Sequence, residues 1–198
     1  LGIHCSYELP IAHWTTSRRL LAEEAERYPD WEITLENNEE TEEKLIQKNE
    51  ELELADSINC PSRFVLESLP NQIRKNKSCQ VSPFGSPLIS FEDNRNNTRS
   101  KEEKLKILFV GSMTQRKGLA DVFEALKLLK DEPVSLSILG QPSMPMKFYR
   151  KQFSEFHYFS PRSNMEVQKV MQSHDILVLP SIIEGRALVQ QEALACGL

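Results

Sequence analysis

What most constrains this chain is a change of pattern after residue 104. Short, near-continuous apolar runs there alternate with amphipathic segments. "LKILFV" (Leu105–Val110), "VSLSILG" (134–140), "EFHYFS" (155–160) and "DILVLP" (175–180) read as strands. Runs of this length, apolar on successive residues, fit strands whose two faces are both covered. Between them, "LADVFEALKLL" places Leu119, Val122, Phe123, Leu126 and Leu129 on one helical face. "SNMEVQKVMQSHD" opens with Ser163 and Glu166 in capping-box spacing, and "SIIEGRALVQQEALACGL" reads as a loop and closing helix. Its expected apolar face is Leu188, Val189, Ala193, Ala195 and Cys196. Strands alternating with helices predict parallel βαβ units with right-handed crossovers, hence an α/β fold with a Rossmann-like sheet.

The first half has a different grammar. "LGIHCSYELPIAHW" begins as a strand and breaks at Pro10. "SRRLLAEEAERYPDW" predicts a helix with Ser17 as N-cap, an Arg19–Glu23 pair at i,i+4 and Pro29 as stop. "ENNEETEEKLIQKNEELELAD" predicts a long helix with a thin apolar stripe of Leu45, Leu52 and Ala55, its acidity read as a solvated face. "SRFVLESLP" predicts a short helix capped by Ser62 and stopped by Pro70. Residues 81–104 are rich in Ser, Pro, Asn and charge without periodicity, as a linker would be. The expected division is therefore 1–84, a linker at 85–104, and 105–198.

Composition excludes several classes. Hydrophobic residues make up 39% and charged residues 27% of the 198, enough for a packed core under a solvated surface. The net charge of −5, with one small basic cluster at 73–77, argues against a nucleic-acid partner. No apolar run approaches the ~18–20 residues of a membrane span, and the start shows no signal-peptide pattern and no initiator Met. Cys5, Cys60, Cys79 and Cys196 form no CxxC pair, so reduced thiols in a cytoplasmic protein are expected and a zinc site is not.

In a parallel sheet, ligands bind beyond the carboxyl ends of the strands. Three polar loops emerge there: "GSMTQRKG", "GQPSMP" and "SIIEGRA". The first is neither GxGxxG nor a P-loop. Helix N-termini offer unpaired N–H groups to phosphate, and Arg116 and Lys117 add positive charge. By itself, a basic pair ahead of a helix is usually a feature of ordinary surface. Glu192 shares a helical face with Leu188 and Val189, where a carboxylate calls for a partner; a ribose diol would serve, as would solvent or a neighbouring Lys. Glu184, at the helix start, either meets a ligand or simply favours the helix dipole.

"EGRALVQQE" places seven residues between Glu184 and Glu192, with "DILVLPS" before it and "ALACGL" after it. This resembles the E-x7-E region of the retaining, GT-B-fold, glycogen-synthase-like glycosyltransferases (family 4). "ILFVGSMTQRKGL" and "LSILGQP" resemble the first two strand–loop units of that family's donor domain. "ELADSINCPSRFVLESL" and "VSPFGSP" resemble the end of its acceptor domain and the crossing into the donor domain. The resemblance is strong from about Glu53 onward.

It implies that Lys117 binds the donor diphosphate, with Arg116 in place of the usual arginine, whose position is Ser112. It further implies that Glu192 holds the donor ribose and Glu184 lies near the transferred sugar. Gly111, Ser112 and Gly140 belong to the donor loops, and backbone of Gly185, Arg186, Ala187, Leu188 and Val189 faces sugar and phosphate. The family's "EGFG" is "EGRA" here, so Arg186 and Ala187 depart from the pattern at the turn that contacts the sugar.

The implied activity is sugar transfer from a nucleotide-sugar to the hydroxyl of a glycan, lipid-linked or small-molecule acceptor. It proceeds with retention, without a metal, a cofactor or a protein nucleophile. An acceptor-side histidine would be His4 or His13, while His157 and His174 read as structural. The family's glycine-rich acceptor loop and its last donor units are absent, so the chain is expected to be an internal fragment, inactive alone. The alternative is a truncated or degenerate GT-B domain that binds nucleotide-sugar, or serves as an interaction module, without turnover.

Overall fold

The computed structural model describes residues 2–35, 41–86 and 104–198. The chain divides into two compact units that are not contiguous in sequence. One comprises 2–27, 41–85 and Ile183–Arg186; the other comprises Tyr28–Leu35, 104–182 and Ala187–Leu198. The linker expected at 85–104 lies, apart from 85, 86 and 104, outside the described residues.

In the second unit the apolar runs form a four-stranded, wholly parallel sheet whose strands lie in the spatial order 156–159, 134–139, 105–110 and 176–177. Its strands are β4 (Leu105–Val110), β5 (Val134–Leu139), β6 (Phe156–Phe159) and β7 (Ile176–Leu177). β4 and β5 pair along their whole length, from Leu105↔Val134 to Val110↔Leu139. Side chains alternate between the faces of a strand, and both faces are filled. Phe109, Leu136 and Ile138 pack with α5 (Leu119–Leu128) and α6 (Met146–Gln152). Leu108, Val110 and Leu139 pack with α7 (Asn164–Gln172) and α8 (Leu188–Ala195).

Three details differ from expectation. Helix α5 ends at Leu128, so Leu129 is its C-cap and is 39% exposed rather than part of the buried face. "DILVLP" contributes only two ladder residues, because beyond Val178, whose N–H still reaches the Leu108 carbonyl, the chain turns away at Pro180. The α6 helix went unforeseen, since "MKFYRKQ" has no clear apolar stripe. The capping box held: the Ser163 N–H and hydroxyl both donate to the Glu166 carboxylate, at 3.2 and 2.8 Å, and hold its pKa below the usual value.

The first unit carries a parallel sheet ordered β1-β2-β3, from β1 (Ser6–Glu8), β2 (Ser57–Cys60) and β3 (Ser78–Val81). Among the described residues, four helices accompany it: α1 (Trp14–Arg27), α2 (Glu42–Leu54), α3 (Arg63–Ser68) and α4 (Asn71–Asn76). Leu9, Trp14, Leu52, Ile58, Cys60, Val65 and Leu69 form its core. Ser62 caps α3 as expected, accepting the Val65 N–H. Ser17 does not cap α1. The helix begins three residues earlier, where His13 Nδ1 accepts the Thr15 N–H at 3.3 Å, and Ser17 donates instead to the Ala12 carbonyl. The basic cluster at 73–77 is the end of α4, and Lys77 Nζ reaches back to the Ala55 carbonyl at 2.7 Å.

Tyr28–Leu35 follows α1 directly yet belongs to the second unit. Its 3-10 turn, Pro29–Thr34, places Trp31 in the core beside Phe123, Phe148 and Tyr149, with ring centroids 5.7, 5.1 and 5.9 Å apart.

Candidate functional site

The strand order of the second unit reverses direction at β4: β5 and β6 lie to one side and β7 to the other. The helices that follow β4 and β7, α5 and α8, pack on opposite faces of the sheet, and such a switch point is where an open α/β sheet offers a crevice for a ligand. The loop after β4 runs through Gly111, Ser112, Met113 and Thr114 into a single 3-10 turn, Gln115–Lys117, closed by Gly118. Gly118 has φ +76°, and a Cβ there would lie 2.1 Å from the Pro180 carbonyl oxygen. Only glycine supplies that conformation without strain, and only glycine lets the two loops approach so closely. The Ile182 N–H donates to the Arg116 carbonyl at 2.9 Å, a second tie between the same loops.

The aliphatic stem of Lys117 lies over Gly111, 4.0 Å from where a Cβ on that glycine would be. The stem is thereby laid back across the loop at the end of β4. Gly140, at the end of β5, meets Gly111 directly: a Cβ on Gly140 would fall 1.8 Å from the Gly111 oxygen. The β4 and β5 loops continue side by side, with Met113 N–H donating to the Gln141 carbonyl at 3.0 Å. Buried Tyr149 unites them, its hydroxyl donating to Met113 O at 2.7 Å and accepting from the Ser143 and Met144 N–H groups.

Of the residues expected at the site, Gly111, Ser112, Arg116, Lys117 and Gly140 come together at this end of the sheet. Ala187, Leu188, Val189 and Glu192 form the start and first turns of α8 in the same unit. Ala187 is the N-cap and has no side-chain oxygen for the first N–H groups of the helix. Leu188 was expected on the buried face but is 48% exposed; at the first helical position its side chain projects away from the core, which Ala193 and Cys196 enter instead. Glu192 and Val189 are half-buried. Glu184, Gly185 and Arg186 fall in the first unit, where Gly185 packs its backbone on the Pro10 carbonyl and Arg186 is exposed.

His4 is exposed, with Nε2 2.9 Å from Ser57 Oγ, whereas His13 is buried. Burial, assisted by the Lys48 charge, lowers the His13 pKa to about 4. His174 sits against the Val170 carbonyl at 2.7 Å, in keeping with a structural role. Among the described residues, no group of three or more His, Cys, Asp or Glu side chains could hold a metal ion, and no helix is long and apolar enough to cross a membrane. Sequence reasoning missed Thr34, Gln115 and Tyr149, all buried polar residues that shape the loops. A buried glutamine carries no periodic signal, and Thr34 is 81 residues from the backbone it contacts.

The sequence profile of the family "Glycosyl transferases group 1" matches residues 90–198, more than half of the chain. The chain belongs to the group 1 glycosyl transferases. Among curated proteins it is similar to N,N'-diacetylbacillosaminyl-diphospho-undecaprenol alpha-1,3-N-acetylgalactosaminyltransferase of Campylobacter jejuni subsp. jejuni, with 27% identity over 138 residues. That match covers 63% of this chain and 36% of the relative, so the chain spans little more than a third of its length. Solved structures place the fold with the GT-B glycosyltransferases. Sucrose-phosphate synthase from Thermosynechococcus elongatus gives a TM-score of 0.63 at 21% identity, covering 82% of this chain and 44% of that one. The pneumococcal O-GlcNAc transferase GtfA, solved with UDP and GlcNAc, gives 0.55 at 15% identity, covering 98% and 36%. The α/β architecture and the family expected from the E-x7-E region are thus both found.

Proposed function

We propose that the second unit binds the nucleoside diphosphate end of a nucleotide-sugar, and that the protein transfers the sugar to an acceptor hydroxyl with retention of configuration. The observation that carries this is the β4 loop at the point where the strand order reverses, with Lys117 folded over Gly111 in a chain of this family. Departure of a nucleoside diphosphate leaves negative charge on its phosphate oxygens. Lys117 and Arg116 would stabilise that charge as it develops, together with backbone N–H groups of Ser112 and of the start of α8 at Ala187, Leu188 and Val189, while Gly111, whose own N–H donates to the Leu139 carbonyl, keeps the loop free of a side chain. Such fixed positive groups supply what a divalent metal would otherwise supply, so neither metal nor cofactor enters this proposal.

Glu192 would accept hydrogen bonds from the ribose hydroxyls, and Glu184, Gly185 and Arg186 would contact the transferred sugar. Gly140 forms the floor beside Gly111. We assign 1–84, apart from the Tyr28–Leu35 segment, to the acceptor side and 105–198 to the donor side. The name of the Campylobacter relative includes a diphospho-undecaprenol, which supports a lipid-linked glycan as one acceptor class. Four free cysteines, two of them buried, fit a reducing compartment such as the cytoplasm.

Calorimetric titration of UDP, GDP and ADP into this chain tests the reading. Saturable binding is expected, weakened about tenfold or more by Lys117→Ala and likewise by Glu192→Ala, since hydrogen bonds to a charged group are worth ~1.5–3 kcal/mol. Binding indifferent to both substitutions would place the nucleotide elsewhere. Binding without turnover in the intact protein would favour the non-catalytic alternative.

A further inference from the structure

The loop that carries Arg116 and Lys117 is held by a strap from far away in the sequence. Tyr28–Leu35 belongs to the same compact unit as the loop and meets it through a connected set of buried and part-buried hydrogen bonds. The Thr34 hydroxyl donates to the Trp31 carbonyl at 2.8 Å and accepts the Gln115 N–H at 3.0 Å. That N–H opens the 3-10 turn Gln115–Lys117, so Thr34 satisfies a donor that the turn itself leaves unmatched, as an N-cap residue does, but from 81 residues away.

Gln115, fully buried, then braces the turn against α5. Its Oε1 accepts the Ala120 N–H and its Nε2 donates to Asp121 Oδ2, both at 2.8 Å. The other oxygen of Asp121 accepts the Tyr28 hydroxyl at 3.0 Å, which returns the network to the strap. Trp31 packs on Tyr149, whose hydroxyl holds the Met113 carbonyl. The strap thus fixes the loop at Met113 and at Gln115, immediately before the two basic residues.

We infer that Thr34 is a positioning residue for nucleoside diphosphate binding: by capping the 3-10 turn at Gln115 it sets where Arg116 and Lys117 present their charge. A lysine acts on phosphate as a point charge, so displacing its turn weakens binding without any direct contact between the strap and the ligand being required. This rests on the assignment of Lys117 to the diphosphate.

Thr34→Val removes the acceptor and keeps the shape; Thr34→Ser keeps the acceptor. Val122→Ala, in the α5 core, serves as a destabilised control that leaves the strap's bonds in place. UDP and GDP would be titrated into each variant of this 198-residue chain well below its Tm, and amide exchange followed across 111–119. In Thr34→Val, affinity is expected to fall about three- to tenfold, the value of one hydrogen bond, with faster exchange at 115–118. Thr34→Ser should stay near the parent chain in both readouts, and Val122→Ala should leave both unchanged.

Unchanged exchange in Thr34→Val would overturn the inference whatever the nucleotide does. So would equal losses in Thr34→Val and Val122→Ala, since that is mere destabilisation. Weakening by Lys117→Ala but not by Thr34→Val would also overturn it while leaving the functional reading intact. Indifference to Lys117→Ala, with exchange still altered by Thr34→Val, would sink the functional reading and the inferred role in binding, leaving only a structural cap.

Discussion

At the scale of single residues, His13 shows how one side chain does different work from what its type suggests. It sits at the N-terminus of α1 and accepts the Thr15 N–H on Nδ1, which assigns the ring proton to Nε2. Burial and the Lys48 charge lower its pKa from 6.5 to about 4. Because the folded value lies below the unfolded one, the unfolded chain takes up the proton first as the pH falls. The contribution to stability is therefore whole above about pH 6.5 and is lost progressively down to about pH 4. At pH 4.5 the loss should be roughly 2–3 kcal/mol. His13→Asn keeps an acceptor for Thr15 and cannot titrate, so its urea-unfolding free energy should fall less between pH 7 and pH 4.5 by that amount. Parallel declines in the two proteins would show that His13 is protonated in the folded state as easily as in the unfolded one.

At the scale of elements, the candidate site is built where strand ends come close. β4 and β5 finish in register at Val110↔Leu139, and the next residues, Gly111 and Gly140, bring backbone against backbone. Any Cβ on Gly140 would overlap the Gly111 carbonyl, and backbone yields far less readily than the end of a flexible side chain. Gly140→Ala should therefore cost about 1–3 kcal/mol in denaturant unfolding, the range for forced overpacking, and should also weaken UDP binding by moving Gly111 beneath Lys117. Unaltered stability would mean that the two loops separate without cost. The same closeness explains why the loops after β4 and β5 act as a pair, with Tyr149 bonding to both.

At the scale of the whole chain, the two compact units exchange segments. Tyr28–Leu35 leaves its sequence neighbours for the core of the second unit, and Ile183–Arg186 is grouped with the first. Trp31 is 3% exposed among Phe123, Phe148 and Tyr149, so it is core to a sheet that begins more than seventy residues later. Trp31→Ala should remove about 3–5 kcal/mol from the stability of the second unit. Amide exchange should show the loss across β4, β5 and α5 with little change in β2. A loss confined to the first unit would contradict the grouping.

Much of this protein was legible from one dimension. The apolar runs of β4 and β5, the apolar face of α5, the Ser62 cap and the Ser163–Glu166 box are local patterns, and local sterics and hydrogen bonding suffice to produce them. The spacing from Glu184 to Glu192 likewise pointed to the family that the sequence profile identifies. Other features depended on what arrives from elsewhere. His13 displaced Ser17 as the cap of α1, α8 turned Leu188 outward, and β7 stopped after two residues where Pro180 turns to meet Gly118. The grip of Thr34 on Gln115 had no sequence signature at all, because a hydrogen bond spanning 81 residues exists only after the core around Trp31 has closed. Periodicity and capping are properties of neighbours along the chain and can be read from it. The placement of a charged loop is set by distant groups that only the tertiary structure brings within reach.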